Sequence, residues 1–299
     1  MQHGEMLAKI RDGNGFIAAL DQSGGSTPKA LKGYGIEEAA WGSDEEMFDL
    51  IHQMRSRIIT APCFASGKVI GAILFERTMD GTVGGKPTPQ ALIDRGVVPF
   101  IKIDKGLEEE ANGVQLMKPI PGLDDLLIRA GGLGVFGTKE RSVINLANRE
   151  GIAAAVAQQF DIARQVLAQG LVPIIEPEVN IKSPERDAAD RILLDELLKH
   201  LDTVPEGKRV MLKLSLPAEA GLFMPLIAHP AVLRVVALSG GFSRSEACRE
   251  LAKNPGMIAS FSRALLSDLR AQQTDEEFNR VLGQAIDEIY EASVSTIPA

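Results

Sequence analysis

Short apolar runs, four to eight residues long and rich in Val, Ile and Phe, recur along the chain and alternate with longer segments whose apolar residues return at helical spacing. Eight such runs are present: FIAALD (16–21), GAILFE (71–76), VPFIKID (98–104), VFGTKER (135–141), VPIIEPEV (172–179), VMLKLSL (210–216), LRVVALSGG (233–241) and MIASFSR (257–263). Between them lie amphipathic segments such as DEEMFDLIHQMRSRII, REGIAAAVAQQFDIARQVLAQ, PERDAADRILLDELLKHL and SRSEACRELAKN, and DEEFNRVLGQAIDEIYEAS follows the eighth run. Eight strands alternating with helices predict an α/β fold, a (β/α)8 TIM barrel. No linker, low-complexity tract or repeat beyond this alternation divides the chain, so residues 1–299 read as one catalytic domain. GTVGGKPTP (81–89) reads as a surface loop.

The first strand and the third to eighth strands each carry a polar or charged residue at or near the C-terminal end, where barrel enzymes build their sites. Asp21, Lys102, Asp104, Lys139, Arg141, Glu176, Glu178, Lys213, Ser239 and Arg263 all fall there. Charged strand ends also serve solubility, so the rows decide. At a period of two, Val210, Leu212, Leu214 and Leu216 form one apolar row, and Met211, Lys213 and Ser215 form the other. Glu176 shares its row with Val172 and Ile174, and Lys139 shares its row with Gly137 and Arg141. Lys102, Lys139, Glu176 and Lys213 follow one another at intervals of 37 residues, which places them at comparable depth on strands three to six.

The net charge of -8, without a long run of one sign, argues against a nucleic-acid or membrane-surface binder, since either needs a basic face. Cys63 and Cys248 are too few for a disulfide framework or a thiolate metal site and read as reduced thiols. MQHGEMLAKIRDGNG lacks the apolar core of a signal peptide and reads as a short helix, and no run of about 18 apolar residues occurs. A cytoplasmic protein is expected. His3, His52, His200 and His229 show no metal-ligand spacing, and neither a Walker loop nor a GxGxxG turn after the first strand is present.

A lysine among apolar walls and other cations has its charged form disfavoured, and its amine becomes available for attack on a carbonyl. Lys213 fits this best, with Lys139 as the second positive charge; a buried ion pair with Glu176 or Glu178 is the alternative, and the two are compatible. Schiff-base chemistry also needs a group to move protons, and Glu176, deeper in its strand, is the better candidate. Glu178 reads as a group that orients a lysine or as a solvated loop residue. LSGG (238–241) and FSRA (261–264) end strands seven and eight, a frequent phosphate-binding place in barrels, where Ser239 and Arg263 add a hydroxyl and a guanidinium fork. DQSGGSTPKA (21–30) is a second such turn, or else a plain strand-to-helix connection. Two anion sites flanking a nucleophilic lysine imply a substrate phosphorylated at both ends with a carbonyl between.

In order along the chain, AALDQSGGS, FIKIDKG, the triplet KER at 139–141, VPIIEPEV, MLKLS, LSGG and SFSRAL resemble the motifs of class I fructose-bisphosphate aldolases, over about residues 16–266 and closest to the short bacterial form. The resemblance implies a metal-independent enzyme that cleaves fructose 1,6-bisphosphate to dihydroxyacetone phosphate and glyceraldehyde 3-phosphate in glycolysis and gluconeogenesis, with no cofactor beyond the Schiff base. It implies Lys213 as the Schiff-base lysine, Glu176 as general acid and base with Glu178 beside it, and Asp21 near the C4 hydroxyl. Lys139, Lys102 and Arg141 match further active-site cations. Ser239, Gly240 and Arg263, with Gly241 and Ser262 beside them, match the C1-phosphate site; Ser23, Ser26 and Lys29 match the C6-phosphate site. Gln22, Glu140, Ala30 and Ser262 depart from the animal-type pattern, and SVSTIPA lacks the C-terminal tyrosine that assists enamine proton exchange there; Tyr290 reads as packing. Tetramers occur in the family, so a homo-oligomer is compatible with the chain. Tagatose 1,6-bisphosphate as substrate, and a non-catalytic sugar-phosphate binder on an inherited barrel, are the other readings.

Overall fold

The computed structural model describes residues 1–65 and 67–295, so the last four residues of SVSTIPA lie outside it. Eight parallel strands follow one another around the sheet in chain order: β1 (Phe16–Leu20), β2 (Val69–Leu74), β3 (Val98–Lys102), β4 (Gly137–Ile144), β5 (Val172–Val179), β6 (Val210–Ser215), β7 (Val232–Leu238) and β8 (Met257–Ala259). The barrel is nearly closed: the chain just past β8 meets β1 through Ala19 N–H donating to Phe261 O at 3.2 Å. Helices α1 (His3–Asp12), α2 (Ser26–Gly33), α3 (Asp44–Thr60), α4 (Thr88–Asp94), α5 (Leu123–Gly132), α6 (Arg149–Ala168), α7 (Arg186–Leu201), α8 (Arg244–Ala252) and α9 (Asp275–Val294) complete the alternation.

Strand parity builds two apolar layers. Ile17, Val98, Phe100, Ile174, Met211 and Ile258 fill the barrel, and Met6 and Ile10 of α1 pack into the same cluster. Leu212, Leu214, Val235 and Ile175 point the other way, into the layer shared with the helices. The all-apolar row of VMLKLSL thus faces the helices, and Lys213 follows Met211 into the barrel. Gly137 is required where β4 passes β5: a Cβ there would stand 2.1 Å from Val172 O.

Helix starts are set by side chains that satisfy otherwise unbonded amides. Asn148 accepts from Gly151 N, while Ser243 with Glu246 and Thr274 with Glu277 form capping boxes. Several strand limits differ from the pattern. β4 runs on to Ile144 because Val114–Gln115 pairs with its end in antiparallel sense. β8 stops at Ala259, because Ser262 turns to φ -105°, ψ -80° and starts a short helix, Arg263–Leu266. Glu76 leaves the second strand to begin the helix Glu76–Asp80, and Thr82–Val83 with Lys86–Pro87 makes a small hairpin within GTVGGKPTP. Among the described residues no helix is long and apolar enough to cross a membrane.

Candidate active site

The upper barrel wall brings four charged groups into one chain of contacts. Lys213 Nζ lies 3.0 Å from Glu176 Oε1, Lys139 Nζ lies 2.9 Å from Glu176 Oε2, and Lys139 Nζ lies 2.7 Å from Asp21 Oδ2. All are buried, with Lys213 4% and Glu176 3% exposed. Register explains the meeting: Arg141 aligns with Glu176, Lys139 two residues below aligns with Ile174, and Ile174 aligns with Met211, so Lys139, Glu176 and Lys213 point inward from three successive strands.

Burial alone would raise the Asp21 carboxyl, but Lys139, with Lys213 and Lys102 behind it, holds it well below the usual carboxylate range. The same contest, won by Lys139, Lys213 and Arg141, lowers Glu176. For Lys139, burial is overcome by Asp21, Glu176 and Asp104, which push the ammonium well above its usual value. Two cations thus face two ionised carboxylates. The wall is charge-balanced rather than a cluster of cations, and the buried ion pair and the candidate nucleophile turn out to be the same arrangement.

Lys102 stands beside this group but is bound to Asp104, with Nζ 2.7 Å from Oδ1 and 2.9 Å from the Asp104 carbonyl oxygen. Among the described residues Glu178 pairs with an arginine rather than with a lysine. It lies one inward position above Glu176 and accepts from Arg141 Nε at 2.6 Å. Burial works against the Arg141 guanidinium, but Glu178 more than compensates and raises it.

The two glycine-rich turns follow β1 and β7, the strands on either side of β8, at this mouth. Ser23 N donates to Ser26 Oγ at 2.9 Å and Ser26 Oγ donates to Ser23 O at 2.8 Å, which shapes the turn into α2, with Lys29 exposed on it. After β7, Ser239 is buried and Gly240 adopts φ +60°, where a Cβ would press to 2.7 Å from Ile181. The Arg263 guanidinium passes 3.6 Å from where a Cβ on Gly241 would stand. Gln22 ties the first turn to the segment that follows β8: its Nε2 donates to Ser262 Oγ at 2.6 Å.

Two residues that hold this mouth were not picked out from the sequence. Arg55, on α3, is 0% exposed; it donates to Thr78 Oγ1 at 2.7 Å, to Gln22 Oε1 at 3.3 Å and to the Gln22 carbonyl. Burial brings it down to about 10 against the attraction of Asp21. Gln159, on α6, accepts from Glu176 N at 2.8 Å and donates to Ser142 Oγ at 2.5 Å, fixing the backbone that carries Glu176. The signal for both is a polar residue within an apolar helical stripe: Arg55 between Ile51 and Ile58, Gln159 between Ala155 and Ala163.

Glu140, on the outward row of β4, has both carboxylate oxygens buried without a hydrogen-bond partner. Burial, then Asp104, raise it well above its ordinary value of 4.5. A raised carboxyl contributes stability below its unfolded value and loses that contribution as pH climbs toward the folded one. Glu140→Leu is therefore expected to raise Tm by about 2–8 °C at pH 8 and by much less at pH 4. Thermal melts at the two pH values check this; an equal shift at both would show that the charge is not the cause.

Among the described residues no group of three or more His, Cys, Asp or Glu is placed to hold a metal ion. Cys63 and Cys248 are free thiols, raised by burial to about 11 and about 12. Tyr290 packs with its ring 5.3 Å from Lys68 Nζ, on α9.

Residues 5–188, more than half of the chain, match the model of the family described as fructose-bisphosphate aldolase class-I. Fructose-bisphosphate aldolase from Plasmodium falciparum, solved in complex with TRAP and a small-molecule inhibitor, superposes with a TM-score of 0.79 at 20% identity, covering 99% of this chain and 96% of that one. A protein of Corynebacterium glutamicum (Brevibacterium flavum) superposes with a TM-score of 0.53 at 13% identity, covering 97% and 92%. At these identities the superpositions speak for the shared barrel. Lys213, Ser239 and Arg263 lie beyond the matched segment.

Proposed function

Since the chain belongs to the class-I fructose-bisphosphate aldolase family, we propose that it reversibly cleaves fructose 1,6-bisphosphate through a Schiff base on Lys213, without a metal, in cytoplasmic glycolysis and gluconeogenesis. The observation that carries this reading is Glu176, whose two carboxylate oxygens touch Lys213 and Lys139 within a buried wall.

A proton passed from the Lys213 ammonium to Glu176 over 3.0 Å leaves a neutral amine. The amine attacks C2 of the open-chain ketose, the carbonyl oxygen takes a proton from the attacking nitrogen to become a hydroxyl, and Glu176 returns its own proton as that hydroxyl leaves as water. The iminium draws electrons from the C3–C4 bond while Asp21 accepts the C4 hydroxyl proton. Glyceraldehyde 3-phosphate departs, and protonation at C3 followed by hydrolysis frees dihydroxyacetone phosphate. Lys139 stays cationic and holds Asp21 and Glu176 in their ionised forms. Ser239, Gly240, Gly241, Ser262 and Arg263 take the C1 phosphate in this reading, and Ser23, Ser26, Lys29 and Lys102 the C6 end. Arg141 and Glu178 close the rim beside the sugar hydroxyls.

Borohydride added with substrate should attach a triose-phosphate mass to the peptide holding Lys213, with activity retained in a chelator. An unmodified Lys213 overturns the proposal, as does loss of activity in the chelator. Tagatose 1,6-bisphosphate differs at C4, the carbon whose hydroxyl meets Asp21, and the ratio of kcat/KM on the two sugars assigns the preference.

A further inference from the structure

Ser260 immediately follows β8. It is 1% exposed, and its Oγ is buried without a hydrogen-bond partner. Its backbone is fixed by Ser260 N donating to Ala237 O at 2.7 Å. Ala259 and Phe261 on either side belong to the layer facing the helices, whereas Ile258, two residues earlier, belongs to the cluster inside the barrel. The Ser260 hydroxyl therefore points into the barrel.

Its depth follows from register. Barrel strands tilt, so a layer of side chains climbs about one residue per strand relative to the hydrogen-bonded pairing, and each layer draws on alternate strands. Lys139 aligns through Ile174 with Met211, and two residues above Met211 is Lys213. Lys213 aligns through Val236 with Ile258, and two residues above Ile258 is Ser260. The layer that holds the two lysines thus continues to Ser260, on the side of Lys213 away from Glu176. Ser262 and Arg263 of the anion-binding turn follow directly in the chain.

A buried hydroxyl with no protein partner costs free energy unless something else satisfies it. We propose that Ser260 is a further catalytic residue whose hydroxyl hydrogen-bonds an oxygen of the three-carbon unit attached to Lys213, holding the iminium in the plane needed for C3–C4 cleavage and C3 reprotonation. This rests on the Schiff-base reading. Glu176 moves protons on one side of the bound carbons, and Ser260 fixes their orientation on the other.

Three readouts on wild type, Ser260→Ala and Ser260→Thr test it: borohydride trapping with dihydroxyacetone phosphate, steady-state cleavage, and deuterium uptake at C3 of dihydroxyacetone phosphate in D2O followed by NMR. Trapping on Lys213 is expected in all three proteins. Ser260→Ala should lower kcat and C3 exchange together by about 10- to 100-fold, the scale of one hydrogen bond strengthened in the transition state, with KM changed little. Ser260→Thr, which keeps the hydroxyl, should recover most of the loss. A Ser260→Ala enzyme with kcat and exchange within twofold of wild type overturns the proposal. A threonine variant as impaired as the alanine variant does so too, since that result assigns Ser260 to packing. Wild type that fails to trap the triose phosphate refutes the Schiff-base reading itself and is distinguished by the first readout.

Discussion

Glu176→Gln is expected to lower kcat/KM by a factor of about 10² to 10⁴, the usual share of a positioned acid–base group. Among the described residues Glu176 is the carboxylate in ion-pair contact with Lys213, and it contacts Lys139 at the same time. Glutamine keeps the length and can still accept a hydrogen bond from one lysine, but it can neither take a proton from Lys213 nor return one to the departing hydroxyl. The loss should therefore fall on kcat, while slow trapping of substrate on Lys213 persists when borohydride is present for long times. Steady-state kinetics beside a trapping time course check this; a glutamine variant with wild-type kcat removes Glu176 from the proton path.

The second large effect is structural. Arg55→Ala should destabilise the protein by about 3–5 kcal/mol, measured by denaturant unfolding. The truncation leaves a cavity behind β1 and strips donors from Thr78 and from the Gln22 carbonyl and amide oxygens. Arg55→Met separates packing from positioning. It refills the volume and should recover part of the stability, yet leaves Gln22 free to swing from Ser262, so KM for the bisphosphate should stay raised. A methionine variant with wild-type KM would mean that Arg55 only fills space.

Much of this architecture is legible in the sequence because barrel strands obey parity. Lys213, Glu176 and Lys139 could be turned inward from the residues two places away, and the structure brings these three together with Asp21. What parity does not give is partners. Glu178 shares the row of Glu176, yet its reach ends at Arg141, because one step further along the strand moves it from the buried wall to the rim. Lys102 falls on the same 37-residue interval as the other two lysines, but Asp104, two residues on, holds it. Arg55 and Gln159 lie on helices, and their part in the site depends on which strand each helix packs against, a long-range fact that local periodicity cannot carry. Ser260 escaped notice because serine in a short strand carries no charge to mark it, and the strand limits drawn through FSR hid the turn at Ser262.

The pairing of charges in the mouth also bears on how an anionic substrate arrives. Asp21 and Glu176 offset Lys139 and Lys213, Asp104 offsets Lys102, and Glu178 offsets Arg141, all within contact distance. Beyond a Debye length of about 8 Å such pairs project little field, and the chain as a whole carries a net charge of -8. A bisphosphate is therefore not drawn in from afar. On the proposed reading it would meet the mouth by ordinary diffusion, at rates of about 10⁵–10⁷ M⁻¹s⁻¹, and would find its attraction only at short range, once its own phosphates displace water from Arg263, Lys29 and the glycine-rich turns.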